Sequence, residues 1–362
     1  MTADIGRRVA DLLPSGSTQR SIAADVGMTP DAFSRALRGE RGFAAIELAK
    51  IADLLDADLH FIITGAPDPT RVIAAARHSF DQETRRHHVP GKDIDLPHLD
   101  AVLLAYEQVQ GGLAASAVPE TLESARVALG ADFVRPFADR LDALGIDVVR
   151  LSELTSAYSF RFGDRAIIAL KATGNWFWEN WSLAHELGHL VHQAESLRRG
   201  RSVETVSSEP EANGFAAELL LPSPWIRSID WTGVTESDIA EHVWDRGVSV
   251  DALKKRVAAL RLPMNEHLET WSTQPTQRLL RRHWSTSEAG DPITSRMDAA
   301  STRRFPLALQ DAHLAQISQG IVRKDTLAWM LGVDPVDLEV DEPTDGSALS
   351  SDALADLLGL GA

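Results

Sequence analysis

The stretch from Trp181 to His192 constrains this chain more than any other. Within Trp181-Ser182-Leu183-Ala184-His185-Glu186-Leu187-Gly188-His189-Leu190-Val191-His192 lies an H-E-x-x-H pattern. At 3.6 residues per turn, His185 and His189 leave the same face of a helix one turn apart. Two imidazoles placed that way can share one metal ion. Glu186 follows the first of them directly, where a carboxylate can take the proton of an attacking water. Leu183, Leu187, Leu190 and Val191 recur at helical spacing as a packing face, and no proline interrupts the run. Gly188 lies between the two histidine turns, and its missing side chain permits another backbone or a substrate to approach closely.

A catalytic zinc takes three protein ligands and keeps a fourth position for water. The stretch from Ser208 to Pro222 offers the third. It reads as a second helix, with acidic residues in its first turn and a proline closing it. Glu209 and Glu211 both sit at its start, and either can face the two histidines.

The pairing of Leu183-Ala184-His185-Glu186-Leu187-Gly188-His189 with the run from Glu209 through Glu211, Asn213 and Phe215 to Pro222 closely resembles the ImmA/IrrE family of zinc metallopeptidases. The resemblance covers about residues 145 to 225, and two separated motifs agree in order and type. It implies that His185 and His189 are zinc ligands, that Glu186 is the general base and that Glu209 is the third ligand, with Glu211 as the competing assignment. Asn213, His192 and Tyr158 remain as further candidates for a ligand or a supporting polar group. Such proteins commonly carry a helix-turn-helix domain and act on transcriptional repressors in phage-related and stress-response regulation. A protein substrate, a repressor first of all, is therefore the expected partner.

Bulk properties narrow the setting. A chain of 362 residues with a hydrophobic fraction of 44% has room for two or three domains and a sizeable core. No apolar run approaches the ~20 residues needed to cross a bilayer, and no basic-then-apolar leader opens the chain, so a cytoplasmic protein without membrane attachment is expected. There are no cysteines, which excludes thiolate ligands and leaves any zinc to histidine and carboxylate. A net charge of −16 opposes broad DNA affinity, so DNA contacts must be local.

Residues 5 to 64 read as a small all-helical unit, with Ala23, Val26, Phe33 and Leu37 as its core. Gly27 makes a tight turn between the second and third helices, and Thr29 with Pro30 opens the third. The arrangement resembles the Xre/Cro repressor type. That resemblance assigns Gln19 to backbone phosphate, and Asp31, Ser34, Arg35 and Arg38 to the major groove, with Arg41 extending the positive cluster. Palindromic recognition of that kind favours a homodimer.

The stretch from Gly65 to Pro69 reads as a linker. A basic connecting helix with Arg77, His78, Arg85, Arg86, His87 and His88 is expected beyond it, followed by scaffold helices over 96–144. At Gly145 the periodicity changes. Strands are expected at Ile146 to Leu151, at Tyr158 to Phe162 and, after a Gly163-Asp164 hairpin turn, at Arg165 to Leu170. An exposed edge of that sheet can hold an extended peptide as an added strand beside the metal. Trp176, Phe177, Trp178 and Trp181 either line a pocket for an apolar side chain or pack the metal helix. Residues 196–207 read as a polar loop. Two helices around Gly247 to Ser249 belong to the peptidase domain in the family resemblance. The remainder is helical, with a basic knot at Arg278, Arg281, Arg282 and His283 and an acidic tail from Asp334.

The expected fold is α+β and mainly α: a four-helix unit over 1–66, a helical connecting region over 67–144, a zincin-like peptidase domain over 145–262 and a helical C-terminal region over 263–362. The expected function is zinc-dependent proteolysis joined to DNA binding. The competing expectation is a non-proteolytic helix-turn-helix regulator or an antitoxin, whose partner is a toxin.

Overall fold

The computed structural model describes residues 2–14, 18–55, 57, 59–65, 72–76, 79–81, 86–88, 92–109, 111–198, 209–285 and 290–341; for 2–3, 72–76, 79–81, 86–88, 92 and 194–198 it describes the backbone alone. By contacts the chain divides into two units, residues 1–99 with 114–303 and residues 100–113 with 304–362. No helix among the described residues is long and apolar enough to cross a membrane.

Five helices open the chain: α1 (Thr2–Leu12), α2 (Gln19–Asp25), α3 (Pro30–Leu37), α4 (Ala45–Leu55) and α5 (Leu59–Thr64). The starts of α2 and α3 follow from local chemistry. Thr18 and Thr29 accept hydrogen bonds from Ser21 N and Ala32 N at the starts of α2 and α3, and Pro30 takes the first helical position of α3, where its missing N–H costs nothing. Gly27 turns the chain at φ +76°, a left-handed conformation that glycine adopts without strain. Val9, Ala23, Val26, Phe33 and Ile51 close the core of this part, and Leu37 packs against it half-buried.

The segment expected as a basic helix forms strands instead: β1 (Val72–Ala76), β2 (Ser79–Asp81) and β3 (Arg86–His88). The alanines of 74–76 favour a helix on intrinsic propensity. Pairing to a neighbouring strand overrides that weak local preference. Arg77, His78 and Arg85 lie outside the described residues.

Next come α6 (Lys92–Gln108), α7 (Leu122–Leu129) and α8 (Phe137–Ala143), and then β4 (Ile146–Leu151), β5 (Tyr158–Phe162) and β6 (Arg165–Lys171). The sheet order is β1-β5-β6-β4. β4 runs parallel to β6, while β5 is antiparallel to both β6 and β1. Every residue of β4 and β5 is buried, as in a sheet covered on both faces. That burial encloses charges. Arg165 pairs with Asp147 through hydrogen bonds of 2.7 and 2.6 Å, and Arg150 pairs with Glu179 at 2.9 and 2.6 Å while also donating to the carbonyls of Ala299 and Thr302. Replacing Glu179 by Ala strands the buried Arg150 guanidinium and is expected to cost about 3–5 kcal/mol of stability, read as a lower denaturant midpoint.

The helix α9 (Trp176–Arg198) that carries the H-E-x-x-H pattern starts before Trp181, so the aromatic run forms its first turns. Asn175 starts it by accepting from Trp178 N at 3.2 Å. Its far end takes in 196–198 of the expected loop, and 199–208 lie outside the described residues. α10 (Glu209–Leu220) crosses α9 at Gly188, where an added Cβ would sit 3.1 Å from Phe215 Cβ. Leu183, Leu187 and Leu190 are fully buried, and each is worth about 1.5–3 kcal/mol of apolar burial.

Beyond them lie α11 (Ser223–Arg227), α12 (Glu236–Arg246) and α13 (Val250–Ala259). Gly247 at φ +59° ends α12 with 2.3 Å between a notional Cβ and Asn180 Nδ2, so only glycine fits. The stretch 263–302, poor in periodicity, nevertheless forms α14 (Glu266–Ser272), α15 (Thr276–His283) and α16 (Pro292–Ser301). Arg281 in the basic knot bonds Asp291 and Thr294. The second unit holds α17 (Leu307–Ser318) and α18 (Asp325–Leu331), with Phe305 just before α17 packing edge-on against Trp329 of α18, and the tail beyond residue 341 lies outside the described residues.

Candidate metal centre

The spacing of His185 and His189 on α9 brings their Nε2 atoms 3.1 Å apart. Glu209, in the first turn of α10, completes a triangle, with Oε2 3.3 Å from His185 Nε2 and Oε1 3.4 Å from His189 Nε2. A tetrahedral zinc with ligand bonds of about 2.0–2.1 Å separates its ligand atoms by about 3.3 Å. The two Nε2 atoms, and each of them with one of the two Glu209 oxygens, stand at about that spacing, so the three residues can each supply one corner of such a tetrahedron. Among the described residues, these three form the group of His and carboxylate side chains close enough to hold a metal ion. Both histidines are buried, and Glu209 is half-buried. Burial alone would push the Glu209 carboxyl up, but hydrogen bonds and charge from His185 and His189 hold it well below the usual carboxylate range. Glu211, the competing ligand, is exposed and outside the group.

Asn213 stands one turn after Glu209 and supports the site. Its Nδ2 donates to the Glu209 carbonyl at 2.8 Å, and its Oδ1 lies 3.2 Å from His185 Nδ1. With Nδ1 as donor, the imidazole presents the Nε2 lone pair to the triangle. Replacing Asn213 by Ala is therefore expected to weaken zinc about 10- to 100-fold without removing a ligand, measured by competition with a chelator.

Glu186 is fully buried beside the triangle. One carboxylate oxygen, Oε2, accepts from Ser159 Oγ at 2.8 Å, while the other, Oε1, is buried without a hydrogen-bond partner. A buried acceptor in that state is costly unless a ligand or water fills the place. Ser159 had no sequence signal of its own, being one polar residue in an alternating strand.

Tyr158 is drawn away from a role at the metal. Its hydroxyl donates to Asp95 of α6 at 2.5 Å, and burial, then Asp95, pushes its pKa up. His192 is half-buried and outside the ligand group. The aromatic run divides between its two expected roles. Phe177, Trp178 and Trp181 line a cavity of about 610 Å³ together with His185, Glu209, Asn213 and Lys255, whereas Trp176 packs against Phe177 and Trp244 with ring centres 5.3 and 5.2 Å apart.

Of the residues expected to meet DNA, Gln19 lies exposed on α2, Asp31, Ser34 and Arg35 lie on α3, Arg38 caps the end of α3 and Arg41 sits in the turn before α4. The arginines, however, face carboxylates: Arg38 is bound to Glu40 through two hydrogen bonds of 2.7 and 3.1 Å and also donates to Ser34, Arg35 lies 3.9 Å from Asp31 and 4.0 Å from Glu40, and Arg41 meets Glu47 at 2.7 Å.

Residues 141–258 match the family model described as the IrrE N-terminal-like domain, peptidase family M78, which suggests a metallopeptidase-like domain. The matched segment carries β4 to α13, including all three triangle residues and Glu186, and spans 118 of the 362 residues (258 − 141 + 1). No curated protein and no solved structure matches the chain.

Proposed function

We propose that this protein is a cytoplasmic zinc-dependent endopeptidase of the ImmA/IrrE kind with an N-terminal Xre-type helix-turn-helix domain, cleaving a transcriptional repressor or another regulatory protein in a stress, phage or mobile-element response. The observation that carries the reading is the triangle of His185, His189 and Glu209 with a buried, half-partnered Glu186 beside it. Zinc is the ion this nitrogen and oxygen donor set fits, and when bound it polarises a carbonyl and acidifies water. Ser159 holds Glu186 Oε2, which leaves Oε1 as the acceptor for the proton of the attacking water. The same carboxyl returns that proton to the leaving amine. Phe177, Trp178 and Trp181 shape the adjoining cavity for an apolar side chain of the substrate.

The test is to incubate the zinc-loaded protein and its Glu186→Gln variant with a peptide mixture and to sequence the new N-termini. Cleavage by the first and not by the second supports the reading; equal product patterns from both oppose it.

A second reading is favoured by the paired arginines: the N-terminal helices dock a protein, as in a helix-turn-helix regulator or antitoxin whose output is binding. Residues 1–65 hold seven basic and nine acidic side chains. If the domain grips DNA through Arg35, Arg38 and Arg41, the log of its affinity falls with log salt at a slope of about −3. A titration across salt concentrations with no measurable binding at low salt selects protein docking. In the DNA reading the functional form is a homodimer, matching a palindromic site.

A further inference from the structure

The strand of the sheet that borders the reaction centre is β5, because Ser159 on β5 reaches Glu186. One long side of β5 is paired with β6. The other side is the edge on which an extended peptide would add by backbone hydrogen bonds. That edge is taken by the chain itself: β1 lies on it antiparallel, with Val72 opposite Phe162, Ala74 opposite Phe160, Ala75 opposite Ser159 and Ala76 opposite Tyr158. The residue paired with Ala75 is thus the one that holds the general base.

We infer that β1 is an internal stand-in for the substrate strand, seated on the β5 edge in the resting protein and displaced when an extended peptide substrate binds. This rests on the peptidase reading above. Three observations agree. Among the described residues, β1 is the one strand of this sheet drawn from outside the segment that matches the family model, and the strands of the matched segment alone leave the β5 edge open. Its sequence, Val-Ile-Ala-Ala-Ala, carries no charge and ends in small residues, which suits a strand held by its backbone rather than by specific side chains. It also begins eight residues after the end of α5, so a partner bound to the N-terminal helices can act on the strand through a short tether. A tethered strand competes at an effective concentration of order millimolar, far above that of most free peptides. The ligand class that replaces it is an extended segment with small, uncharged residues opposite Ser159.

The experiment uses the full chain with Ile73→Pro and Ala74→Pro together. Successive N–H groups of a strand point to opposite sides, so one of the two prolines must remove a hydrogen bond to β5. A second variant replaces residues 72–76 by Gly-Ser-Gly-Ser-Gly and covers the case in which the prolines disturb folding. The probe is a fluorescent peptide with the sequence of residues 70–78. The expected results are binding to both variants at least about tenfold tighter than to the wild type, faster hydrogen exchange at Tyr158 to Phe162 in the variants, and restored protection when the peptide is added. Hydrolysis of a peptide mixture by the zinc-loaded variants should rise by a similar factor. Equal peptide binding and equal β5 exchange in all three proteins would overturn the inference. Zinc content separates the two failures: variants that hold zinc yet show no change sink the stand-in strand alone, whereas a wild type that takes up no zinc sinks the peptidase reading while the peptide and exchange arms still report on β1.

Discussion

Replacing Glu186 by Gln should lower peptide hydrolysis by between about a hundredfold and ten-thousandfold, the range a positioned general base supplies, while the zinc content stays at the wild-type level. The separation follows from geometry. Glu186 is not a corner of the triangle formed by His185, His189 and Glu209, so its loss removes no ligand. Glutamine keeps the volume and can still accept from Ser159, but it cannot hold the proton of an attacking water. Its amide also places a donor, or a neutral acceptor, where the carboxylate Oε1 stands without a partner. The measurement is a parallel rate and metal assay on both proteins. A variant that keeps most of its activity would assign proton transfer to another group, and a variant that loses its zinc would make Glu186 part of the metal site.

The second large effect is thermal. The two histidines sit on α9 and the carboxylate on α10, so an ion at the triangle ties together two helices that otherwise meet through packing around Gly188 and Phe215. An ion present at about a thousand times its dissociation constant stabilises the folded state by about 4 kcal/mol. For a cooperative unit of about 150–250 residues this corresponds to roughly 8–16 °C in Tm. Chelation should therefore lower the wild-type Tm by about 10 °C, and the same chelator should leave Glu209→Ala unmoved because that variant has lost a corner. Equal melting of wild type with and without chelator would mean that no ion contributes to the fold.

Much of the grouping of His185, His189 and Glu209 is legible in the sequence, for a definite reason. The helical period puts His185 and His189 on one face, and the acidic first turn of the next helix narrows the third corner to Glu209 or Glu211. The family resemblance points to Glu209 of the two, and the crossing of α9 and α10, which sequence spacing does not encode, brings Glu209 and not Glu211 beside the histidines. The strands from Ile146 to Lys171 were readable from alternation and from the Gly163-Asp164 turn. Asp147 and Arg150 inside β4 were not, because a buried charge is tolerable only through partners that lie 18 and 29 residues away, Arg165 and Glu179. β1 was misread because three consecutive alanines and nearby arginines satisfy a helix locally, while the pairing that makes them a strand comes from β5, more than eighty residues along the chain. Ser159 left no trace at all. Its importance is a matter of one hydrogen bond to a residue on another element.

The DNA-facing reading changed most with structure. Arg35, Arg38 and Arg41 look like a positive cluster when counted alone, yet Glu40 and Glu47 lie within hydrogen-bonding reach of it. Surface pairs of this kind are weak, so phosphate can displace them, but each displacement subtracts from affinity. That is why binding must be measured across salt rather than assumed from the helices.

The proposed peptidase depends on zinc at one triangle, and the most direct measurement is elemental analysis of the purified wild type beside His185→Ala and Glu209→Ala, with folding of each checked by circular dichroism. The expected result is close to one zinc per chain in the wild type and a near-complete loss in both folded variants. A wild type that carries no zinc and cannot be loaded with it, or variants that retain it in full, would contradict the metal centre and the peptidase built on it.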